Sequence, residues 1–228
     1  YWDAQLPVFA EDFQVIALDL AGHGDSALGR ENYSMERFGA DVAAVARGEG
    51  PVILVGHSMG GPVMLEAARL LGDQVKGLVG VDTLRDTASP VTSEEEVASR
   101  MAPLRADYVG TATQFLNAMF VPSSDPALRE AIIADMLATD PEVGIGASRG
   151  MLGMDLRTAL ESVEAPLVLI NSDYRPTNLP AVRRHHPDTT LYTMGDVGHF
   201  VMMEDVSTFN ALLERAVGDF LAKMDARE

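Results

Sequence analysis

The chain contains no cysteine. Disulfides, thiol catalysis and cysteine-based zinc sites are therefore excluded, and the redox compartment is left open. No apolar run approaches the roughly 20 residues that cross a bilayer as a helix, so no membrane partner is expected. Basic residues are scarce: 17 Lys plus Arg stand against 34 Asp plus Glu, a formal net charge of -17. A chain this acidic repels phosphate backbones and anionic lipid surfaces, which argues against nucleic acid and membrane as partners. No targeting segment, internal repeat or low-complexity linker is visible. The expected location is cytoplasmic, although a chain that opens on Tyr1 rather than Met leaves a removed leader open.

What is there suits one globular α/β domain. Of the 228 residues, 47% are hydrophobic, enough for a sizeable core. Short apolar runs alternate with helical patterns. Strands are expected at Phe13–Leu20, Pro51–Gly56, Val75–Asp82, Pro166–Asn171 and Thr189–Met194. Helices are expected after Ser34, with a stripe of Phe38, Val42 and Val45, over Gly60–Leu71, near Asn178–His186, and at the end of the chain through Phe209, Leu212, Leu213, Val217 and Phe220. Such alternation predicts a mostly parallel sheet with helices on both faces. It stops between about 84 and 162, where the patterns are all helical. The expected division is a core of residues 1–83 and 163–228 and a helical cap insertion at 84–162.

Gly56-His57-Ser58-Met59-Gly60 matches G-x-S-x-G between an apolar strand and a helix. A strand-to-helix turn this tight forces the serine into a strained conformation and exposes its hydroxyl, and glycines two positions either side are expected to avoid a clash. The helix N-terminus favours negative charge, and the Met59 N–H can face an oxyanion. A serine needs a base, and the base needs an orienting partner. Of the five histidines, His57 is expected to pack beneath the turn, His185 and His186 to be solvated at a helix end, and His23 to organise a turn. No metal site is expected. His199, in a glycine-bearing loop after the last strand, is the candidate base, since carboxyl ends of strands are where α/β sheets present reactive groups.

The motifs "DLAGHGDS", "VGHSMGG", "PLVLINSD" and "GDVGHFVMMED", in this order, resemble the α/β-hydrolase fold family, in its serine-nucleophile esterase and lipase branch. The resemblance covers essentially the whole chain and is weakest in the helical insertion. It implies Ser58 as nucleophile, His199 as general base and Asp173, after the fourth strand, as the acid. Asp82, at the end of the preceding strand, is the alternative, because Arg175 stands directly before Pro176, where the family often has Asp. A substrate pocket of His57, Phe200, Met119 and Met151 is expected, with no cofactor.

The family's second oxyanion donor comes from a His-Gly loop that should lie upstream of Tyr1, followed by a helix that Trp2 fits. A central strand, expected between Phe13–Leu20 and Pro51–Gly56, is absent too, so the chain reads as N-terminally incomplete. The implied activity is hydrolysis of a carboxylic ester or related small acyl substrate, by an enzyme of the carboxylic ester hydrolase class EC 3.1.1, with a homo-oligomer compatible. Carbon–carbon bond hydrolysis and cofactor-free perhydrolysis of the haloperoxidase-like kind use the same triad. A non-catalytic hydrolase-fold binding protein, or an inactive fragment, is the rival from another class.

Overall fold

The computed structural model describes residues 1–226. Four strands form one parallel sheet in the order β1-β2-β3-β4: β1 is Val52–His57, β2 Val75–Val81, β3 Leu167–Ser172 and β4 Thr190–Met194. The chain progresses across the sheet in one direction. β2 and β3 lie in the middle; β3 is buried along its whole length and β2 nearly so, as their unbroken Val, Leu and Ile runs require. The pairing Gly56 to Gly80 and His57 to Val81 brings the carboxyl ends of β1 and β2 level.

Helices cover both faces. On one side, α3 (Gly60–Leu71) packs on β1 and β2 and against α2 (Met35–Ala46). On the other, the 20-residue α11 (Val206–Asp225) lays Phe209, Leu213, Val217 and Phe220 over β2, β3 and β4. Gly77 admits this contact, since a Cβ there would stand 2.1 Å from the Phe220 ring. Ser34 caps α2 as expected, accepting from the Arg37 N–H. The buried face of α2 keeps Phe38 and part of Val42 from the expected stripe but not Val45. Met35, Phe38, Gly39, Ala43 and Ala46 are buried, whereas Val45 is exposed. Small residues win because α2 and α3 approach closely: a Cβ on Gly39 would lie 2.4 Å from the Glu66 Cβ.

The remaining elements are α1 (Leu6–Phe9), α4 (Glu94–Ala106), α5 (Tyr108–Asn117), α6 (Pro126–Leu137), α7 (Pro141–Gly153), α8 (Leu156–Glu161), α9 (Leu179–Arg183) and α10 (Val201–Glu204). α4 packs on α7 and α5, and α5 on α6. α8 instead turns inward, placing Ala159 and Leu160 beside Met64 and Leu65 of α3.

Two expectations at the amino-terminal side are corrected. Phe13–Leu20 is not a strand. Its backbone joins no ladder, and Val15, Ile16 and Leu18 remain exposed. Apolar patterning makes a strand only where another strand supplies hydrogen bonds. β1 is the edge of the four-stranded sheet, with Val55 39% exposed, and an apolar cleft lined by Val15, Leu18, Ile53 and Val55 runs along it. Trp2 is not within a helix either. Its carbonyl accepts from the Gln5 and Leu6 N–H groups just ahead of α1, and its ring packs on Phe209. Among the described residues, no helix is long and apolar enough to cross a membrane.

Candidate active site

Ser58 sits at the tip of the turn from β1 into α3 with a φ of +52°, a left-handed conformation that is uncommon for a residue with a side chain. The turn is over-determined by its neighbours. The Ser58 N–H donates to the Val81 carbonyl at 2.9 Å, the Gly61 N–H donates to the Ser58 carbonyl at 3.0 Å, and Thr83 Oγ1 donates to that same carbonyl at 2.7 Å. These bonds leave out the Met59 N–H, at the start of α3.

Only one of the two expected glycine clashes exists. A Cβ on Gly56 would lie 2.2 Å from the Gly60 carbonyl oxygen, but a Cβ on Gly60 would meet open space. The tight position on the helix side is Gly61, where a Cβ would meet Thr83 Oγ1 at 2.4 Å.

His199 follows β4 and is buried. Its Nδ1–H donates to Asp82 Oδ2 at 2.5 Å, and its Nε2 is buried with no hydrogen-bond partner among the described residues. The main chain around it is clamped. Glu204 accepts from the N–H groups of both flanking residues, Gly198 at 3.0 Å and Phe200 at 3.1 Å, while the His199 N–H donates to the Met119 carbonyl at 2.7 Å. Ser124 Oγ adds a bond to Glu204 at 2.5 Å.

The partner of His199 is Asp82, not Asp173. The Asp173 side chain is exposed, and its N–H closes onto the Met194 carbonyl at 2.9 Å. Asp82 ends β2 with a φ of +46° and a fully covered carboxylate. Its Oδ1 accepts from the Ser172 N–H at 2.7 Å, from Ser172 Oγ at 2.8 Å and from Arg85 Nη2. Burial alone would push the carboxyl up; the hydrogen bonds from His199 and Arg85 and the Arg85 charge outweigh it and hold the group down at about 2.

His57 packs its ring against His199, with centroids 4.6 Å apart, and against Phe200 at 5.3 Å. Its Nε2 lies 2.9 Å from the His199 carbonyl, to which the neutral ring donates. Burial, then the neighbouring His199, lowers its pKa to about 3, so the ring is neutral near pH 7. The other histidines stand apart. His23 bonds the Ala21 carbonyl and meets Phe38 edge-on, a turn-organising position. His186, expected to be solvated, is buried between Thr189 Oγ1 and the Ala165 carbonyl, and His185 pairs with Glu161 at 2.6 Å. Among the described residues, no three His, Asp or Glu side chains gather as a metal site.

One cleft gathers the expected residues Ser58, Met59, His57, His199, Phe200, Met119 and Met151, with Asp82 behind His199. Arg85, Ser172 and Glu204 were missed by sequence reasoning. The only signal for Arg85 was a cation three residues after Asp82. Glu204 carried none beyond its nearness to His199. Tyr1 also lines the cleft; it stacks on Phe200 and donates its hydroxyl to Asp135 at 2.6 Å.

Residues 1–212 match the alpha/beta hydrolase family. The chain belongs to that family. Among solved structures, this alpha/beta hydrolase is similar to a thermophilic esterase from Thermogutta terrifontis at 25% identity and a TM-score of 0.82, covering 96% of this chain and 85% of that one. A bromoperoxidase from Bacillus anthracis shares the fold at 18% identity and a TM-score of 0.81, covering 95% and 86%. Curated relatives include the dihydrolipoyllysine-residue acetyltransferase component of the acetoin cleaving system of Pseudomonas putida, 27% identical over 92% of this chain and 57% of that protein. A non-heme haloperoxidase of Rhodococcus erythropolis is 36% identical over 42% of this chain and 35% of its own. The chain thus spans little more than half of the first relative's length and about a third of the second's.

Proposed function

We propose that this chain carries the reactive site of a serine hydrolase acting on a carboxylic ester or a related small acyl compound. The observation that carries the reading is His199. Its Nδ1 is committed to a buried carboxylate while its Nε2 is buried and unpartnered, in one cleft with a serine held at positive φ. That is the arrangement a general base needs: one nitrogen fixed by a tautomer-setting partner, the other free for a proton.

In the proposed mechanism, Ser58 Oγ attacks the acyl carbon as His199 Nε2 takes its proton. The C–O bond forms, and the carbonyl electron pair moves onto an oxyanion that the Met59 N–H and the α3 N-terminus stabilise. Asp82 supports the imidazolium. The tetrahedral adduct collapses, His199 returns the proton to the leaving alcohol, and Ser58 holds the acyl group. Water, deprotonated by His199, then releases the acid and restores the serine. His57 stays neutral beside this pair, so it adds no competing charge. The helical segment 84–162 serves as a cap whose Met119 and Met151 form an apolar wall.

A second reading is perhydrolysis, in which hydrogen peroxide replaces water at the acyl-enzyme and yields a peracid plus free Ser58. Its support is the similarity to a non-heme haloperoxidase and, at 41% identity over 32% of this chain, to a bifunctional esterase/perhydrolase of Acinetobacter calcoaceticus. A panel of p-nitrophenyl esters, run with and without peroxide and scored for peracid, tests both readings. Turnover in neither arm, with a folded protein, favours a binding protein without catalysis.

A further inference from the structure

The acid of the site carries a cation that the mechanism above does not use. Arg85 lies on the loop after β2, 16% exposed, and donates Nη2 to Asp82 Oδ1 and, at 2.9 Å, to Ser172 Oγ. Its Nη1 donates to the Ser172 carbonyl at 3.0 Å and to the Arg175 carbonyl. The guanidinium also lies 5.3 Å from the Tyr174 ring centroid. This arginine is therefore fixed by the chain around it, and its place beside Asp82 is built rather than incidental.

We propose that Arg85 is a positioning residue for the His199–Asp82 pair: it locks the Asp82 carboxylate with Oδ2 toward His199 and keeps the pair from taking up a proton, which holds the acidic limb of catalysis at lower pH. The inference rests on the reading of His199 as the base. Oδ1 receives three donors and Oδ2 one, so the carboxylate cannot rotate without breaking the Arg85 and Ser172 bonds together. The guanidinium also makes the carboxylate half of a neutral ion pair. Without it, a buried net negative charge would sit uncompensated against the imidazole, which favours a proton there.

The other charged or titratable groups around the pair are His57 at the end of β1, Tyr174 and Arg175 after β3, and Glu204 in α10. His57 is neutral near pH 7, and Glu204 is already engaged by two backbone N–H groups and Ser124. Of the cations, Arg85 alone bonds the Asp82 carboxylate among the described residues.

The experiment compares wild type, Arg85→Gln and Arg85→Lys, in the kcat/KM pH profile for a p-nitrophenyl ester and in the downfield proton resonance of the His199 Nδ1–H by NMR. The inference expects the acidic limb in Arg85→Gln to move up by on the order of one pH unit, the Nδ1–H resonance to broaden or vanish, and Arg85→Lys to recover much of both. A uniform loss of kcat/KM with an unmoved limb and an intact resonance would overturn it, as would equal effects of Gln and Lys. Should Arg85→Gln fail to fold, Arg85→Lys compared with wild type decides. An acidic limb raised above wild type with a broadened Nδ1–H resonance supports the inference, and a limb and resonance both matching wild type while kcat/KM falls overturn it. If wild type turns over no ester, the proposed function fails, while the Nδ1–H resonance in the variants still judges Arg85.

Discussion

His199 Nδ1 lies 2.5 Å from Asp82 Oδ2, a contact that joins the loop after β4 to the end of β2 across the intervening β3. Asp173, at the end of β3 itself, points to solvent. The two carboxylates therefore predict opposite outcomes. Asp82→Asn should lower kcat on the order of 10⁴-fold by favouring the wrong imidazole tautomer. Asp173→Asn should leave kcat within about twofold, as a surface substitution does. Steady-state ester hydrolysis by the two variants checks this, with circular dichroism to confirm folding.

The turn carrying Ser58 makes a second pair of predictions. Gly56→Ala drives a methyl group against the Gly60 backbone, which cannot swing aside as a side chain can. It should destabilise the protein by about 3 kcal/mol or prevent folding. Gly60→Ala meets no neighbour and should cost less than about 0.5 kcal/mol. Urea denaturation of the two variants separates them.

Much of this site was legible in the sequence, and the boundary is physical. Ser58 and its turn are local: five residues spanning the junction of β1 and α3 carry the strain and the exposure. His199 could be found by its place after the last strand. The choice between Asp82 and Asp173 was not local, because it depends on which strand end the His199 loop reaches in space. The same holds for Phe13–Leu20, whose pattern reads as a strand but which pairs with no strand among the described residues. It holds also for Gly61, which is tight only because Thr83 of another strand's loop packs on it. Arg85 and Glu204 escaped notice because a single charged residue in a loop has no period and no spacing to betray it.

Glu204 makes a prediction of its own. Its carboxylate bonds the N–H groups on both sides of His199, so Glu204→Ala leaves two donors unpaired and the loop free to shift. Stability should fall by about 1–3 kcal/mol. Because a base out of register slows chemistry rather than binding, kcat should fall more than KM rises. Chemical denaturation and ester kinetics on the same preparation test both statements.

Acid should destabilise the fold in two windows. His57 is held neutral, its folded value of about 3 lying below the ordinary 6.5. The unfolded chain therefore binds this proton first, and the associated stability is complete above pH 6.5 and drains away as pH falls toward 3. Asp82 is also depressed, from 3.8 to about 2, so its contribution is present above 3.8 and is lost as pH falls through 2. One such proton gives a slope of up to about 1.4 kcal/mol per pH unit. His57→Gln should remove about one proton's worth of that slope between pH 6 and 4. Some slope should remain, because burial also lowers the pKa of His186. Unfolding free energies measured by urea titration across pH 7 to 4 provide the check.

The central claim is that Ser58 is a nucleophile activated by His199. It is tested most directly by reacting the protein with a fluorophosphonate probe and locating the adduct by peptide mass spectrometry. The account predicts stoichiometric labelling on Ser58 in wild type, lost in Ser58→Ala and slowed by on the order of 10³-fold or more in His199→Ala. A folded wild-type protein that takes up no label at Ser58, or labels equally without His199, would contradict it.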